Sequence, residues 1–207
     1  MIKKTQSYAR DREETSRRIL RAAMDVLSDG GHKDFGINII ARRAQCDKQL
    51  IYRYFGGLEG VADAIGAELA SQLMERLKPP TQDTRPETYG ALMKTLIVQL
   101  VDLLRNDPVT QKIIAWEISS ASPILDRMNK ERSKHLAIWM HTMRGSLTPA
   151  KGLDAPAINA VLIASAQHMV LSGTSRGNFA GMPLFDEDDW KRLNDTFLKI
   201  IDSVYGE

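Results

Sequence analysis

One cysteine, Cys46, occurs among 207 residues, so no disulfide can form within the chain. A secreted disulfide scaffold is excluded, and a reducing compartment, the cytoplasm, is favoured. Aromatic residues are scarce at 6%, and no run of alternating apolar and polar residues persists, which argues against a sheet and for an all-α chain. Met1-Ile2-Lys3-Lys4 is basic, but the residues that follow through Arg18 are polar and charged. The apolar stretch of a secretory signal is missing there. The histidines at 32, 135, 141 and 168 make neither a His-x-x-x-His pair nor a cluster with cysteine, so no metal site is expected. The acids Asp186-Glu187-Asp188-Asp189 are explained by the dipole of the helix they open, and their spacing is not that of a calcium loop. No glycine-rich nucleotide loop follows a strand and no nucleophile motif is present. No catalytic residue, no enzyme activity and no cofactor is therefore expected.

The segment from Ile37 to Val61 is the most informative. Ile37, Ile40, Ala41 and Ala44 fall at i, i+3, i+4 and i+7 and make one apolar face of a short helix. After a break at Gln45-Cys46, Asp47 is a good N-cap for a second helix with Ile51, Tyr54 and Phe55 inward. Its other side carries Lys48, Gln49, Tyr52 and Arg53, donor-rich and aromatic, as a helix entering a DNA major groove requires. Gly56-Gly57 ends it. Charge follows the same division: residues 1–60 hold 12 Lys and Arg against 8 Asp and Glu, and the remainder holds 16 against 18. Positive charge thus gathers where phosphates would lie.

Ile19-Leu20, Ala22-Ala23, Leu27, Gly31, Ile40-Ala41, Ala44, Ile51-Tyr52-Arg53-Tyr54-Phe55 and Glu59 together resemble the N-terminal domain of the tetracycline-repressor (TetR) family of bacterial transcriptional regulators, over roughly residues 13–62. Three positions depart from the family pattern. Gly36 stands for a Ser or Thr cap, Gln45 for a turn glycine and Leu58 for a phosphate-touching lysine, so Leu58 is not taken as a DNA contact. The resemblance implies a helix-turn-helix DNA-binding domain over residues 1–60, comprising an N-terminal arm and three helices. A C-terminal helical domain for effector binding and dimerisation would follow over residues 61–207. Lys48, Gln49, Tyr52, Arg53 and Tyr54 are the expected DNA-binding residues, with Tyr52 and Tyr54 resembling the family's phosphate-touching aromatics. Lys3, Lys4, Arg10 and Arg12 on the arm would add non-specific affinity.

Helical spacing and breakers place further helices over Glu13–Ser28, Leu58–Lys78, Pro86–Arg105, Pro108–Ser119, Pro123–Ser146, Asp154–Ser172 and Asp186–Val204. Pro79-Pro80 would end the second of these. Ala155 to Ser175 carries no formal charge and is long enough for a membrane span, but Asn159, Gln167, His168 and several hydroxyls interrupt it, which favours a helix buried on more than one side. Trp190, Leu193, Phe197, Ile200, Ile201 and Val204 recur at helical spacing on the last helix. By resemblance, these two helices form a four-helix bundle with a second subunit, with Phe197 and Ile201 inside the dimer face.

Tyr89, Met93, Trp116, Glu117, Trp139, Met140, Met143, His168 and Met169 lie on four successive helices that the family arranges around an effector cavity. Met and Trp make an adaptable apolar lining. Glu117 or His168 would orient the ligand, although core packing explains the apolar members equally well and Glu117 has an alternative role as partner of an arginine in its own domain. Trp116 is expected to lie outside the DNA-binding domain. The function implied is a ligand-responsive repressor that binds palindromic double-stranded operator DNA as a homodimer and is released by a small, mostly apolar effector. The rival is an all-helical small-molecule-binding protein or enzyme with a vestigial DNA-binding module, and a third reading is a regulator without inducer.

Overall fold

No glycine or proline interrupts the first 29 residues, and Lys3, Lys4, Gln6, Ala9 and Arg10 are good helix formers. The first helix, α1 (Ile2–Gly30), accordingly starts well before Glu13, so the expected arm is its first turns. The computed structural model describes residues 2–31, 34–76 and 86–206, with side chains from residue 11 onward. The side chains of Lys3, Lys4 and Arg10, and the expected helix stop at Lys78 and Pro79-Pro80, lie outside those residues. After α1 come α2 (Ile37–Arg43), α3 (Lys48–Phe55), α4 (Leu58–Arg76), α5 (Tyr89–Arg105), α6 (Pro108–Ser119), α7 (Pro123–Arg144), α8 (Ala155–Arg176) and α9 (Glu187–Tyr205). A hairpin, β1 (Asn178–Phe179) and β2 (Met182–Pro183), sits between α8 and α9.

Caps explain most of the boundaries that differ from expectation. α5 opens at Tyr89 rather than Pro86 because Thr88 is its N-cap, the Oγ1 accepting from the Ala91 N–H at 3.1 Å. α8 runs past Ser172 to Arg176 and stops where Gly177 takes a left-handed φ of 72°. The strands were not expected. Their turn, Ala180-Gly181, has φ of 49° and 80°, the paired left-handed residues of a tight hairpin turn, and two-residue strands are too short to show alternation.

The chain divides into two compact units, Met1–Ser71 with Lys112–His135, and Gln72–Gln111 with Leu136–Glu207. In the first, Ile19, Ala23 and Leu27 of α1, Ile40 of α2, Ile51 of α3, Val61 and Ile65 of α4, Ile113 of α6 and Leu125 and Met128 of α7 are fully or nearly fully buried. α7 crosses α4 at Gly66, where an added Cβ would stand 2.4 Å from the Met128 carbonyl oxygen, so only glycine permits this approach. Beside it Arg127 donates to Asp63 Oδ1 at 2.8 Å and to Glu59 Oε2 at 2.9 Å.

In the second unit, α5 packs against both α8 and α9. Trp190, Leu193, Phe197, Ile201 and Tyr205 form the buried face of α9. This corrects the expected dimer face. Phe197 is 4% exposed and Ile201 0%, so both belong to the protomer's own core, and the outward apolar residue of α9 is Ile200. Gly173 of α8 makes room for Trp190, whose ring would lie 2.7 Å from a Cβ there. Arg105 covers the same ring at 4.4 Å and is held by Glu187 at 2.6 Å. α8, without formal charge before Arg176, is tied in by its polar side chains. Asn159 Nδ2 donates to the Tyr89 hydroxyl at 2.6 Å, Asn159 Oδ1 accepts from Tyr205 at 2.8 Å, and Thr174 Oγ1 donates to Gln111 Oε1 at 2.9 Å. Such partners suit a helix packed in protein rather than one in hydrocarbon.

Burial, with a smaller contribution from neighbouring Tyr89, pushes the Tyr205 hydroxyl up to about 12, against about 10 for a free tyrosine. The unfolded chain therefore ionises this group first, and its contribution to stability is whole below pH about 10 and is lost as pH rises toward about 12. Tyr205→Phe is expected to cost about 1 kcal/mol at neutral pH through the lost hydrogen bond to Asn159, and to lose less stability than the native protein between those pH values. Thermal melts across that range check this, and parallel declines in the two proteins would count against it.

Candidate nucleic-acid interface

The orientation of α3 follows from its cap and from one buried residue. Asp47 Oδ1 accepts the Gln49 N–H at 2.7 Å and Gly56, at φ 76°, closes the helix with its N–H on the Tyr52 carbonyl. Ile51 is 0% exposed. At roughly 100° per residue, its burial turns Gln49 and Arg53 to the opposite side, and Lys48, Gln49, Tyr52 and Arg53 are all exposed. Tyr54 and Phe55, expected inward with Ile51, are half-buried. Tyr54 lies under two guanidiniums, those of Arg12 at 5.6 Å and Arg53 at 5.9 Å from the ring centroid.

The departures from the family pattern have local structural consequences. Gly36 caps α2 without any side-chain hydrogen bond, leaving its first N–H groups without the usual hydroxyl. Gln45 takes the left-handed φ of 50° that a turn glycine would adopt freely, a strain of order 1 kcal/mol or more. Leu58 is half-buried at the start of α4. In the same turn the Cys46 N–H reaches the Ala41 carbonyl at 3.0 Å. Burial raises the Cys46 thiol above its ordinary range, Arg18 opposing and Asp47 adding to the shift, so the thiol is protonated and poorly reactive.

The nine expected effector residues do not stand together in one unit. Trp116 and Glu117 belong to the first unit and the others to the second. Contrary to expectation, Trp116 lies against the DNA-binding helices, its ring 3.2 Å from where a Cβ on Gly31 would be. One turn before it, Lys112 Nζ donates to the Ser28 carbonyl at 2.6 Å. α6 therefore satisfies and covers the C-terminal end of α1. Glu117 accepts from Arg132 Nη2 at 2.6 Å with both side chains nearly buried, 12% and 11% exposed, which is the alternative partner left open by the sequence. Glu117 Oε1 and Arg132 Nη1 make no hydrogen bond among the described residues. In the second unit Met93 is buried, Tyr89 is engaged by Asn159, and Trp139, Met140, Met143 and Met169 are half-buried. His168 is exposed and meets Phe179 edge-on at 4.6 Å. Asn159, Tyr205 and Arg132 escaped the sequence reading. A lone Asn in an uncharged helix was the available signal for the first.

A short capped helix with a buried back and an exposed face of Lys, Gln, Tyr and Arg, preceded by α2 across a tight turn, defines a helix-turn-helix DNA-binding protein. Residues 19–65 of the chain match the family described as bacterial regulatory proteins, tetR family. Its fold is shared with transcriptional regulators over nearly its whole length. FadR from Bacillus subtilis in complex with stearoyl-CoA is 18% identical at a TM-score of 0.64, over 93% of this chain and 99% of that one. The fatty acid degradation regulator FadR from Bacillus halodurans is 15% identical at 0.61, over 90% and 97%. A TetR family transcription regulator from Marinobacter aquaeolei is 16% identical at 0.58, over 92% and 97%. No curated protein matches the chain.

The Glu117–Arg132 pair separates a structural from a ligand-contacting role. Glu117→Ala strands a nearly buried guanidinium and is expected to destabilise the protein by about 3–5 kcal/mol, read from the midpoint of chemical denaturation. An unchanged midpoint would mean that Glu117 is not a structural partner.

Proposed function

We propose that the protein is a transcriptional repressor that binds a palindromic operator as a homodimer in the cytoplasm and is released by a small, mostly apolar effector. The observation that carries the reading is the outward set Lys48, Gln49, Tyr52 and Arg53 on a helix anchored by Ile51. A vestigial module has no reason to keep that face, and this disfavours an enzyme. Gln49 and Lys48, near the helix N-terminus, address base edges or adjacent phosphates, and Tyr52 addresses phosphate. Mapping the operators bound across the genome, followed by gel shift on them, tests the reading and gives the regulated genes.

Dimerisation is assigned to the outward faces of α8 and α9. Ala157, Ala160, Val161, Ala164 and His168 are exposed along one side of α8 at helical spacing, with Val161 at 66%, and Ile200 of α9 is 44% exposed. An uncharged face of this kind is what a second copy would cover. For the effector, the second unit's Tyr89, Met93, Trp139, Met140, Met143 and Met169 are the proposed lining, since Trp116 and Glu117 already have partners in the first unit and His168 lies on the outward face of α8. The stearoyl group of the ligand in Bacillus subtilis FadR makes compounds with a long acyl chain the first apolar class to test. A ligand lowers operator affinity only by binding the DNA-incompetent arrangement better. α4, which continues from the helix-turn-helix, is the proposed transmitter.

Tyr52→Ala is expected to weaken binding to all sequences, and Gln49→Ala to cost about 1–3 kcal/mol of discrimination at one base pair per half-site. Unchanged affinity in both mutants would refute the interface. Val161→Asp and Ile200→Asp should yield folded monomers with lost operator binding, whereas Phe197→Asp should unfold the protein. Sedimentation of each variant beside a thermal melt distinguishes these outcomes, and a monomeric native protein at micromolar concentration would defeat the dimer.

A further inference from the structure

Two of the exposed arginines of the first unit are held by carboxylates. Arg17 pairs with Glu13, and Arg43 with Asp29 at 2.9 Å, as exposed guanidiniums commonly do. Arg12 and Arg53 are different: among the described residues neither pairs with a carboxylate, and they share one aromatic ring instead. Their guanidinium carbons lie 5.6 and 5.9 Å from the centroid of Tyr54. Both arginines are exposed while Tyr54 is half-buried, so the ring is the fixed part and the cations are the presented part. Each cation gains from the ring face, but two like charges beside one ring repel each other. An anion facing both removes that cost, and planar guanidinium forks fit phosphate oxygens in paired hydrogen bonds.

The position of the pair identifies the anion. Arg53 is on the outward side of α3 with Gln49, opposite Ile51, and Arg12 comes from α1, so the shared ring joins a second helix to the reading helix. We propose that Tyr54 is a positioning residue whose ring, rather than its hydroxyl, holds Arg12 and Arg53 as a two-helix clamp on one DNA backbone phosphate. The proposal rests on the DNA-binding reading above and reassigns Tyr54 from a direct phosphate contact to the platform beneath two others.

The test uses the full chain and a fluorescein-labelled duplex of mixed sequence, with anisotropy measured between about 50 and 200 mM salt. Arg12→Gln and Arg53→Gln are each expected to flatten the slope of log affinity against log salt by up to about 0.9 per head. Tyr54→Leu should weaken binding several-fold and flatten the slope similarly although it removes no charge, while Tyr54→Phe, which keeps the ring, should bind as the native protein does. Tyr54→Leu added to Arg12→Gln should cost little more than either alone. Loss in Tyr54→Phe equal to that in Tyr54→Leu would assign the contact to the hydroxyl and overturn the clamp, as would a native slope in Arg12→Gln, a surface change that leaves the core intact. Native protein without salt-dependent binding overturns the DNA-binding reading itself.

Discussion

The burial of Ile51 is the constraint on which the functional face depends. A helix of eight residues has little intrinsic stability, and its rotation about its own axis is set by whichever side chain must leave water. With Ile51 inward and Asp47 fixing the first turn, Gln49 and Arg53 have no choice but the opposite side. A fully buried isoleucine supplies roughly 2–3 kcal/mol toward this arrangement. That exceeds the strain at Gln45 and the absent side-chain cap at Gly36, so the turn survives two unfavourable residues.

The second unit solves a different problem. One of its helices, α8, has more apolar surface than α5 and α9 cover, and one side remains outward. Polar residues handle the two sides differently. Asn159 satisfies its amide with Tyr89 and Tyr205, whereas Ser165 and His168 are exposed beside Ala164 and Val161. α9 divides more sharply, with Phe197 inward and Ile200 outward three residues later, one helical step around the axis.

α6 connects chemistry that sequence order keeps apart. Lys112 and Trp116, one turn apart, meet the carbonyl of Ser28 and the backbone of Gly31 at the end of α1. These residues cap a helix that begins far upstream, and Glu117 beside them carries a charge balanced by Arg132 in α7. A side chain read as cavity lining can therefore serve as cover for another helix of its own unit, because Trp has enough surface to fill the gap between two helices.

Local rules made much of this protein legible. The 3.6-residue period, Asp47 as a cap, Gly56 as a stop and the prolines at the starts of α6 and α7 determined the helices, and the pattern around Ile51 determined which side of α3 faces out. These are interactions within one or two turns, and the residues that decide them are adjacent in the sequence. The rest required tertiary structure. α9 shows one apolar stripe to a sequence reader, but whether Phe197 or Ile200 is covered by the protomer itself depends on where α5 and α8 lie. Trp116 against Gly31, Glu117 with Arg132 and Arg12 over Tyr54 are likewise meetings between helices, fixed by packing rather than by spacing. Burial is a property of the whole neighbourhood, and no periodicity along one helix can say which other helix will supply it.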